Sequence, residues 1–187
     1  MGYWKIGRVI VSAIHFVHSG SRVKRGFTLL ELIITLSVMM ILVGAAAPSF
    51  SKIIEENEIR RLATEIEWLL VQAKSEAVMR SNPVMVKVTN ITGTPNVSSD
   101  WLIEASVSGG STVISRVVGS QFPKLKISKR FNTDTITFDS LTGRPNFNGH
   151  FAFSSADNKI VKVMINNVTG RLYVCSKEGD YDYSKCS

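Results

Sequence analysis

The feature that most constrains this chain is an almost uninterrupted apolar run from Phe27 to Phe50. Two basic residues and Gly26 precede the run, and Glu31 is its single charged residue. At a helical rise of about 1.5 Å per residue, the part that ends at Ala47 would span about 31 Å, close to the hydrocarbon thickness of a bilayer. Because lipid offers the backbone no hydrogen-bond partners, we expect residues 27–50 to form a membrane-spanning helix.

A charged residue such as Glu31 is unusual in a membrane-spanning helix. An acidic residue at the centre of a membrane helix costs about 2.5–3.5 kcal/mol, and less near the end of the helix. Two interpretations are open: Glu31 lies among the lipid headgroups, or it meets a positive partner. A free α-amino group on a neighbouring copy would be such a partner if the chain were cut between Gly26 and Phe27.

The segment Gly26-Phe27-Thr28-Leu29-Leu30-Glu31-Leu32 resembles the class III signal of type IV pilins and type II secretion pseudopilins. The resemblance implies that a prepilin peptidase cuts after Gly26 and methylates the new N-terminal Phe27. It also implies that Glu31 sets the register of subunits in a helical filament, so that other pilin or pseudopilin subunits are partners.

Pro48 stands where many members of that family have a helix-bending proline. Proline in a helix interior removes a backbone hydrogen bond and costs about 3 kcal/mol. With Gly44 it predicts a weak point in the helix, which either kinks at the membrane surface or melts locally when subunits pack. The two outcomes are compatible.

The charge of the chain is unevenly distributed. Five of its 22 basic residues and none of its 15 acidic residues lie in residues 1–26, the predicted leader, so most of the net charge of +7 would be lost on cleavage. A basic flank stays cytoplasmic, so we expect a single pass through the bacterial inner membrane, with everything after Pro48 in the periplasm. The alternative is a secretory signal cut near Ala45-Ala46-Ala47, which would leave Glu31 unexplained.

Beyond the apolar run, residues 51–82 predict an amphipathic helix that continues the first one to about Arg80. Its apolar residues recur at three- and four-residue steps, and Ser81-Asn82-Pro83 ends it. The residues of the apolar stripe are Ile59, Leu62, Ala63, Ile66, Leu69, Leu70, Ala73 and Ala77.

Residues 83–187 switch to the two-residue period of strands, and they predict a β-rich outward-facing domain. The predicted strands are Val84–Thr89, Trp101–Val107, Thr112–Val118, Leu125–Phe131, Thr135–Phe138, Phe151–Ser154, Ile160–Ile165 and Arg171–Cys175. The fold class is therefore α+β, with the long helix packed on an antiparallel β-sheet domain. Together with the glycine turns at Gly143-Arg144 and Gly170-Arg171, this arrangement resembles the pilin fold of the GspH/FimT-like minor pilins and pseudopilins.

Cys175 and Cys186 are the two cysteines of the chain. In an oxidising compartment a disulfide is favoured over free thiols, and closing this short loop should stabilise the fold by about 2–3 kcal/mol. Two cysteines without a nearby histidine are a poor zinc site, and no metal or cofactor is expected. Catalytic motifs are missing and His150 stands in a predicted turn without a partner, so we expect no enzyme activity.

Nucleic-acid binding is a second candidate function. Some FimT-like minor pilins act in DNA uptake through a Gly-Arg-x-Arg stretch, which Gly170-Arg171-Leu172-Tyr173 resembles except for its last residue. A basic cluster could add phosphate contacts, with Lys124 and Lys126 on one strand face; the alternative is an edge strand kept soluble by lysines. The cluster comprises Lys124, Lys126, Lys129 and Arg130.

The sequence thus predicts a minor pilin that a prepilin peptidase processes and that is incorporated into a type IV pilus. The cysteine pair and the glycine-arginine turn favour the pilus. One alternative is a minor pseudopilin of a type II secretion system, and an alternative of another class is a DNA receptor at the pilus tip.

Overall fold

The computed structural model describes residues 27–108, 112–155 and 159–186, without the side chains of residues 45–49. The predicted leader, Gly26 included, lies outside these residues. One helix, α1 (Leu29–Met79), precedes the strands. The strands within the described residues are β1 (Val84–Thr89), β2 (Leu102–Val107), β3 (Val113–Val118), β4 (Lys126–Lys129), β5 (Thr135–Phe138), β6 (Gly149–Ser154), β7 (Ile160–Ile165) and β8 (Leu172–Ser176).

Both ends of α1 have local causes. At the start, Thr28 acts as the N-cap, because its Oγ1 accepts a hydrogen bond from the backbone N–H of Glu31 at 3.2 Å. At the end, Ser81 adopts a left-handed φ of 48°, and the N–H of Asn82 donates to the carbonyl of Ala77 at 3.2 Å, as in a Schellman motif. The prediction of one long helix is confirmed to within two residues at each end.

The chain divides into two compact units, the first ending at Ala45 and the second beginning at Ala46. In the second unit the strands form two four-stranded antiparallel sheets, in the orders β3-β2-β1-β5 and β4-β6-β7-β8. The strand positions were predicted closely, and the predicted antiparallel β-sheet domain consists of two sheets, a number that the sequence left open. Alternation tells which face of a strand is buried and not which strand lies beside it, so it could not distinguish these arrangements.

The apolar stripe of α1 is the centre of the core. All eight residues predicted for it are at most 1% exposed, and they form one cluster with the inward side chains of both sheets. Trp101 and Phe122 stack at one side of the cluster, with ring centroids 6.3 Å apart. The helix is therefore the element on which the two sheets of the second unit are packed.

A disulfide joins Cys175 and Cys186, as predicted. It fixes the C-terminal segment, which also contacts α1, because Asp182 accepts a hydrogen bond from Arg60 at 2.7 Å. Lys159, which precedes β7, lies 3.6 Å from Asp180 of the same segment. The disulfide thus connects the last strand to the helix through the C-terminal segment.

Reducing this disulfide is expected to lower the free energy of unfolding by about 2–3 kcal/mol, because the unfolded chain gains the freedom of the opened loop. The measurement is denaturant unfolding of the detergent-solubilised protein with and without reductant. A variant with Cys175→Ser and Cys186→Ser should unfold at the same denaturant midpoint as the reduced wild type, and reductant should not change that midpoint. Equal midpoints for oxidised and reduced wild type would contradict the prediction.

Candidate functional site

The first candidate site is the surface of α1 in the first unit. Every large apolar side chain from Phe27 to Val43 is at least 48% exposed, and these side chains lie on all sides of the helix. They are Phe27, Leu29, Leu30, Leu32, Ile33, Ile34, Leu36, Val38, Met39, Met40, Ile41, Leu42 and Val43. A helix that is apolar all round needs lipid or other protein to cover it.

The polar groups of this surface divide into two kinds. The hydroxyls of Thr35 and Ser37 donate to backbone carbonyls of their own helix, at 2.9 and 2.7 Å. Both hydroxyls therefore have their hydrogen-bond partners within α1. The carboxylate of Glu31 instead lies exposed in the first turn of α1, where the helix dipole favours a negative charge. The carboxylate of Glu31 is therefore accessible at the start of α1.

Two further predictions concern the same helix, namely that it spans a membrane and that it kinks. Within the described residues, no helix combines the length and the sustained apolar character that crossing a bilayer requires. The helical backbone continues through Gly44 and Pro48, and the kink predicted there stays a prediction.

The second candidate site is the predicted basic cluster, which the structure separates. Lys124 lies in a turn before β4 and lines a cavity of about 500 Å³ together with Glu55 and Glu58 of α1. Lys126 begins β4 and lines a different cavity with Lys162 of β7. The expectation that Lys124 and Lys126 share a strand face is wrong, because the strand starts only after the turn at Pro123 and Lys124.

The ammonium group of Lys129 is paired with other residues of the second unit. Its side chain is only 9% exposed, forms an ion pair with Asp134 and donates to the carbonyl of Thr133 at 3.0 Å. Its ammonium also lies 5.3 Å from the centroid of the Phe131 ring. These contacts occupy the charge that was a candidate for phosphate binding.

Arg130 and Arg171 are both exposed, and both lie close to Tyr173. Arg130 lines a cavity of about 300 Å³ with His150 and Tyr173, and the Arg171 guanidinium lies 4.9 Å from the centroid of the Tyr173 ring. Lys162, which was not among the predicted basic residues, projects from the same face of the second sheet as His150. The alternation of β7, which buries Val161 and Val163, is the signal that could have placed it there.

His150 lies in β6 rather than in the predicted turn, and it is partly buried. Burial lowers the pKa of His150, and the nearby charges of Lys162 and Arg130 lower it further. The imidazole of His150 is therefore harder to protonate in the folded protein than in the unfolded chain.

This shift predicts that stability falls as the pH drops through about 6.5, the ordinary pKa of histidine, because the unfolded chain then binds the proton first. Burial also raises the pKa of the Glu67 carboxyl, which acts on stability in the opposite direction, and His150→Gln leaves that contribution in place. Thermal unfolding between pH 5.5 and 7.5 measures the effect, and His150→Gln should flatten the profile. An unchanged slope in that variant would contradict the assignment.

Comparison with known proteins gives two sequence matches. The model of the family "Type II transport protein GspH" matches residues 62–170, and that of the prokaryotic N-terminal methylation motif matches residues 21–47. No curated protein matches the chain in sequence.

Solved structures are similar at low identity. The crystal structure of the type IV minor pilin FimU of Pseudomonas aeruginosa PAO1 aligns over 64% of this chain and 90% of FimU, with 18% identity and a TM-score of 0.48. The minor pseudopilin EpsH of the Vibrio cholerae type 2 secretion system aligns over 64% of this chain and 97% of EpsH, with 9% identity and a TM-score of 0.45.

The GspH family model covers more than half of the chain, and the methylation motif precedes it on the helix that carries Glu31. The family consists of structural subunits rather than enzymes. The chain belongs to the GspH family within the type IV pilin and pseudopilin superfamily, and it is a pilin or pseudopilin subunit.

Proposed function

We propose that the chain is a minor pilin of a type IV pilus. A prepilin peptidase cuts it between Gly26 and Phe27 and methylates the amino group of Phe27. The helix of residues 27–50 holds the subunit in the inner membrane until assembly, with the domain that follows it in the periplasm. The observation that carries this proposal is the exposed apolar surface of α1, with Glu31 in its first turn directly after a methylation motif.

Lipid covers that apolar surface before assembly, and neighbouring helices cover it afterwards. Moving one large apolar side chain out of water is worth about 1.5–3 kcal/mol. Lipid and neighbouring helices both provide this cover, so apolar burial alone favours neither. A pair between Glu31 and the amino group of a neighbour's Phe27 exists only in the filament, and it would fix the register of the subunits.

The N-terminus of the mature chain tests the processing. Mass spectrometry of the membrane-extracted protein should give a chain that begins with N-methylated Phe27. A mature chain that begins near Pro48 would instead indicate a secretory signal peptidase and would refute the proposal.

The type II secretion pseudopilus is the alternative machine, with the same processing and assembly chemistry. The Cys175–Cys186 disulfide and the Gly170-Arg171 turn favour the pilus. Deleting the gene separates the two: loss of surface pili with normal protein export supports the pilus, and loss of export with normal pili supports the pseudopilus.

DNA uptake is a second candidate function, as a receptor at the pilus tip. It is supported by the exposed Arg130 and Arg171, and by Lys126 and Lys162 on the same sheet. Such a surface would contact phosphates, so binding should weaken steeply with salt and depend little on sequence. Filter binding of DNA to the purified protein across a salt series tests this, and retention that does not respond to salt would remove it.

A further inference from the structure

Four side chains form a row across the second sheet. Arg130 follows β4, and its backbone N–H donates to the carbonyl of His150 in β6 at 2.8 Å. His150 lies opposite Met164 of β7, and Met164 lies opposite Tyr173 of β8. Residues opposite one another in antiparallel strands share a face, and this one is the outer face, because Phe151 is buried in the core. All four line one cavity of about 300 Å³, which we call the four-strand cavity.

Positive charge surrounds the four-strand cavity. None of the described residues that line it is acidic, and the strands β4, β6, β7 and β8 contain no aspartate or glutamate. Lys162 projects from the same face as His150, and the guanidinium of Arg171 lies 4.9 Å from the centroid of the Tyr173 ring. An anion in the cavity would therefore meet several cations and no competing carboxylate from these strands.

Two asparagines that line the cavity already use their amide oxygens. The Oδ1 of Asn148 accepts a hydrogen bond from the backbone N–H of Asn167 at 2.7 Å. The Oδ1 of Asn166 accepts from the N–H groups of Val168 at 3.0 Å and Thr169 at 2.9 Å. Because a backbone N–H can only donate, these bonds identify the oxygen of each amide and leave its NH₂ group as a donor. The two amides therefore offer hydrogen-bond donors to a bound anion.

A terminal phosphate group matches this set of donors. It carries a charge of about −1.5 to −2 at neutral pH and has three acceptor oxygens. The planar guanidinium of Arg130 can bind two of those oxygens at once. A carboxylate has only two oxygens, which lie in one plane, and it would leave donors on the other sides of the cavity unused. The volume is at the lower end of the range for small-molecule sites, about 300–1,000 Å³, and suits a compact ligand.

We propose that the four-strand cavity binds inorganic phosphate or a phosphomonoester, with Arg130 and His150 as the main donors to its oxygens. The inference goes beyond the proposed function, since neither cleavage by a peptidase nor assembly through α1 requires it. It also differs from DNA binding, because a phosphodiester in a nucleic-acid backbone has two free oxygens and a single charge.

Binding changes the protonation of His150. A neutral imidazole has one N–H donor, whereas the protonated ring has two donors and a positive charge. Burial and the charges of Lys162 and Arg130 disfavour the protonated ring, and Tyr173 is the remaining titratable side chain of the row. A bound dianion offsets those charges and accepts from both ring N–H groups, so it raises the pKa of His150. The affinity for the anion therefore rises as the pH falls.

Equilibrium dialysis of inorganic phosphate against the full-length protein, in a sugar-based detergent that contains no phosphate, tests the site. Saturable binding to the wild type is expected. Arg130→Gln should lower the affinity by about tenfold or more, because charge-assisted hydrogen bonds are lost. Arg116→Gln, an exposed arginine of β3 in the other sheet, is the matched control and should bind like the wild type. The thermal unfolding of Arg130→Gln without phosphate should match that of the wild type, since the Arg130 side chain is exposed.

Sulfate then isolates the contribution of His150, because it keeps both negative charges between pH 6 and pH 8 whereas phosphate does not. The wild type should bind sulfate more tightly at pH 6 than at pH 8 by about fivefold or more, since a rise of about one unit in the pKa of His150 corresponds to a factor of ten. His150→Gln should bind with the same weak affinity at both pH values. A pH dependence that survives in this variant overturns the role of His150.

Phenyl phosphate distinguishes the two sources of the phosphate group. Binding that is tighter than that of inorganic phosphate supports an organic phosphomonoester, whose carbon portion would contact Met164 and Ile165 of the cavity. Equal or weaker binding supports inorganic phosphate as the ligand.

The negative outcomes are separable from those of the proposed function. Absence of saturable phosphate binding, or equal affinities for the wild type and Arg130→Gln, overturns the site even where the chain is processed normally. An uncut chain overturns the proposed function, while dialysis still decides the phosphate site. DNA retention that requires Arg130, and that neither phosphate nor phenyl phosphate displaces, would assign the cavity to nucleic acid and also overturn the inference.

Discussion

Replacing Gly26 with alanine is expected to leave the chain uncut. Glycine at a cleavage site lets the backbone approach the enzyme closely, which a Cβ obstructs. The uncut chain would keep its five leader charges and would never expose the amino group of Phe27. Incorporation into filaments should therefore be lost as well. The measurement is an immunoblot of membranes, in which a single slower band replaces the mature one.

Gly44→Ala is the matched control for this substitution. A Cβ at Gly44 has no atom within 4 Å, and alanine is a better helix former than glycine by about 1 kcal/mol. The control should be processed like the wild type. Normal processing of Gly26→Ala itself would refute the assigned cleavage site.

Replacing Glu31 with alanine is expected to leave processing intact and to deplete the subunit from filaments. Removing one partner of a buried, hydrogen-bonded charge pair costs about 2–5 kcal/mol, because the other charge stays buried without compensation. That cost corresponds to a loss of about 30-fold or more in the assembly equilibrium. The ratio of mature subunit in sheared filaments to that in membranes measures it.

Two controls separate charge from helix structure. Glu31→Gln keeps the size of the side chain and should reproduce the defect if the charge is responsible. Thr35→Ala removes a hydroxyl that bonds only its own helix, and it should assemble normally. Wild-type amounts of the Glu31→Ala subunit in filaments would rule out the pairing with a neighbour's amino group.

Much of the fold was predictable because its signals are local. The recurrence of apolar residues from Ile59 to Ala77 identified the buried face of α1, since a helical period brings those side chains to one side. The change to a period of two located the strands, and β1, β5 and β7 have the predicted bounds. The disulfide was predictable because the two cysteines are only 11 positions apart in the sequence.

The basic residues were less predictable, because their roles depend on residues of other elements. Lys129 is bound by Asp134 across a loop, and Lys124 faces α1 rather than the outer side of the sheet. Lys162 lies on the same face of the sheet as His150 only because β7 pairs with β6. Charge in a sequence indicates how many cations exist and not which of them another side chain neutralises.

The sequence by itself determined the long helix, its buried stripe and the positions of the strands, because periodicity and capping act between residues a few positions apart. The tertiary structure decided the division into two sheets and the meeting of Arg130, His150 and Tyr173 at one cavity. Those features join residues far apart in the chain, and only the pairing of the strands brings them together.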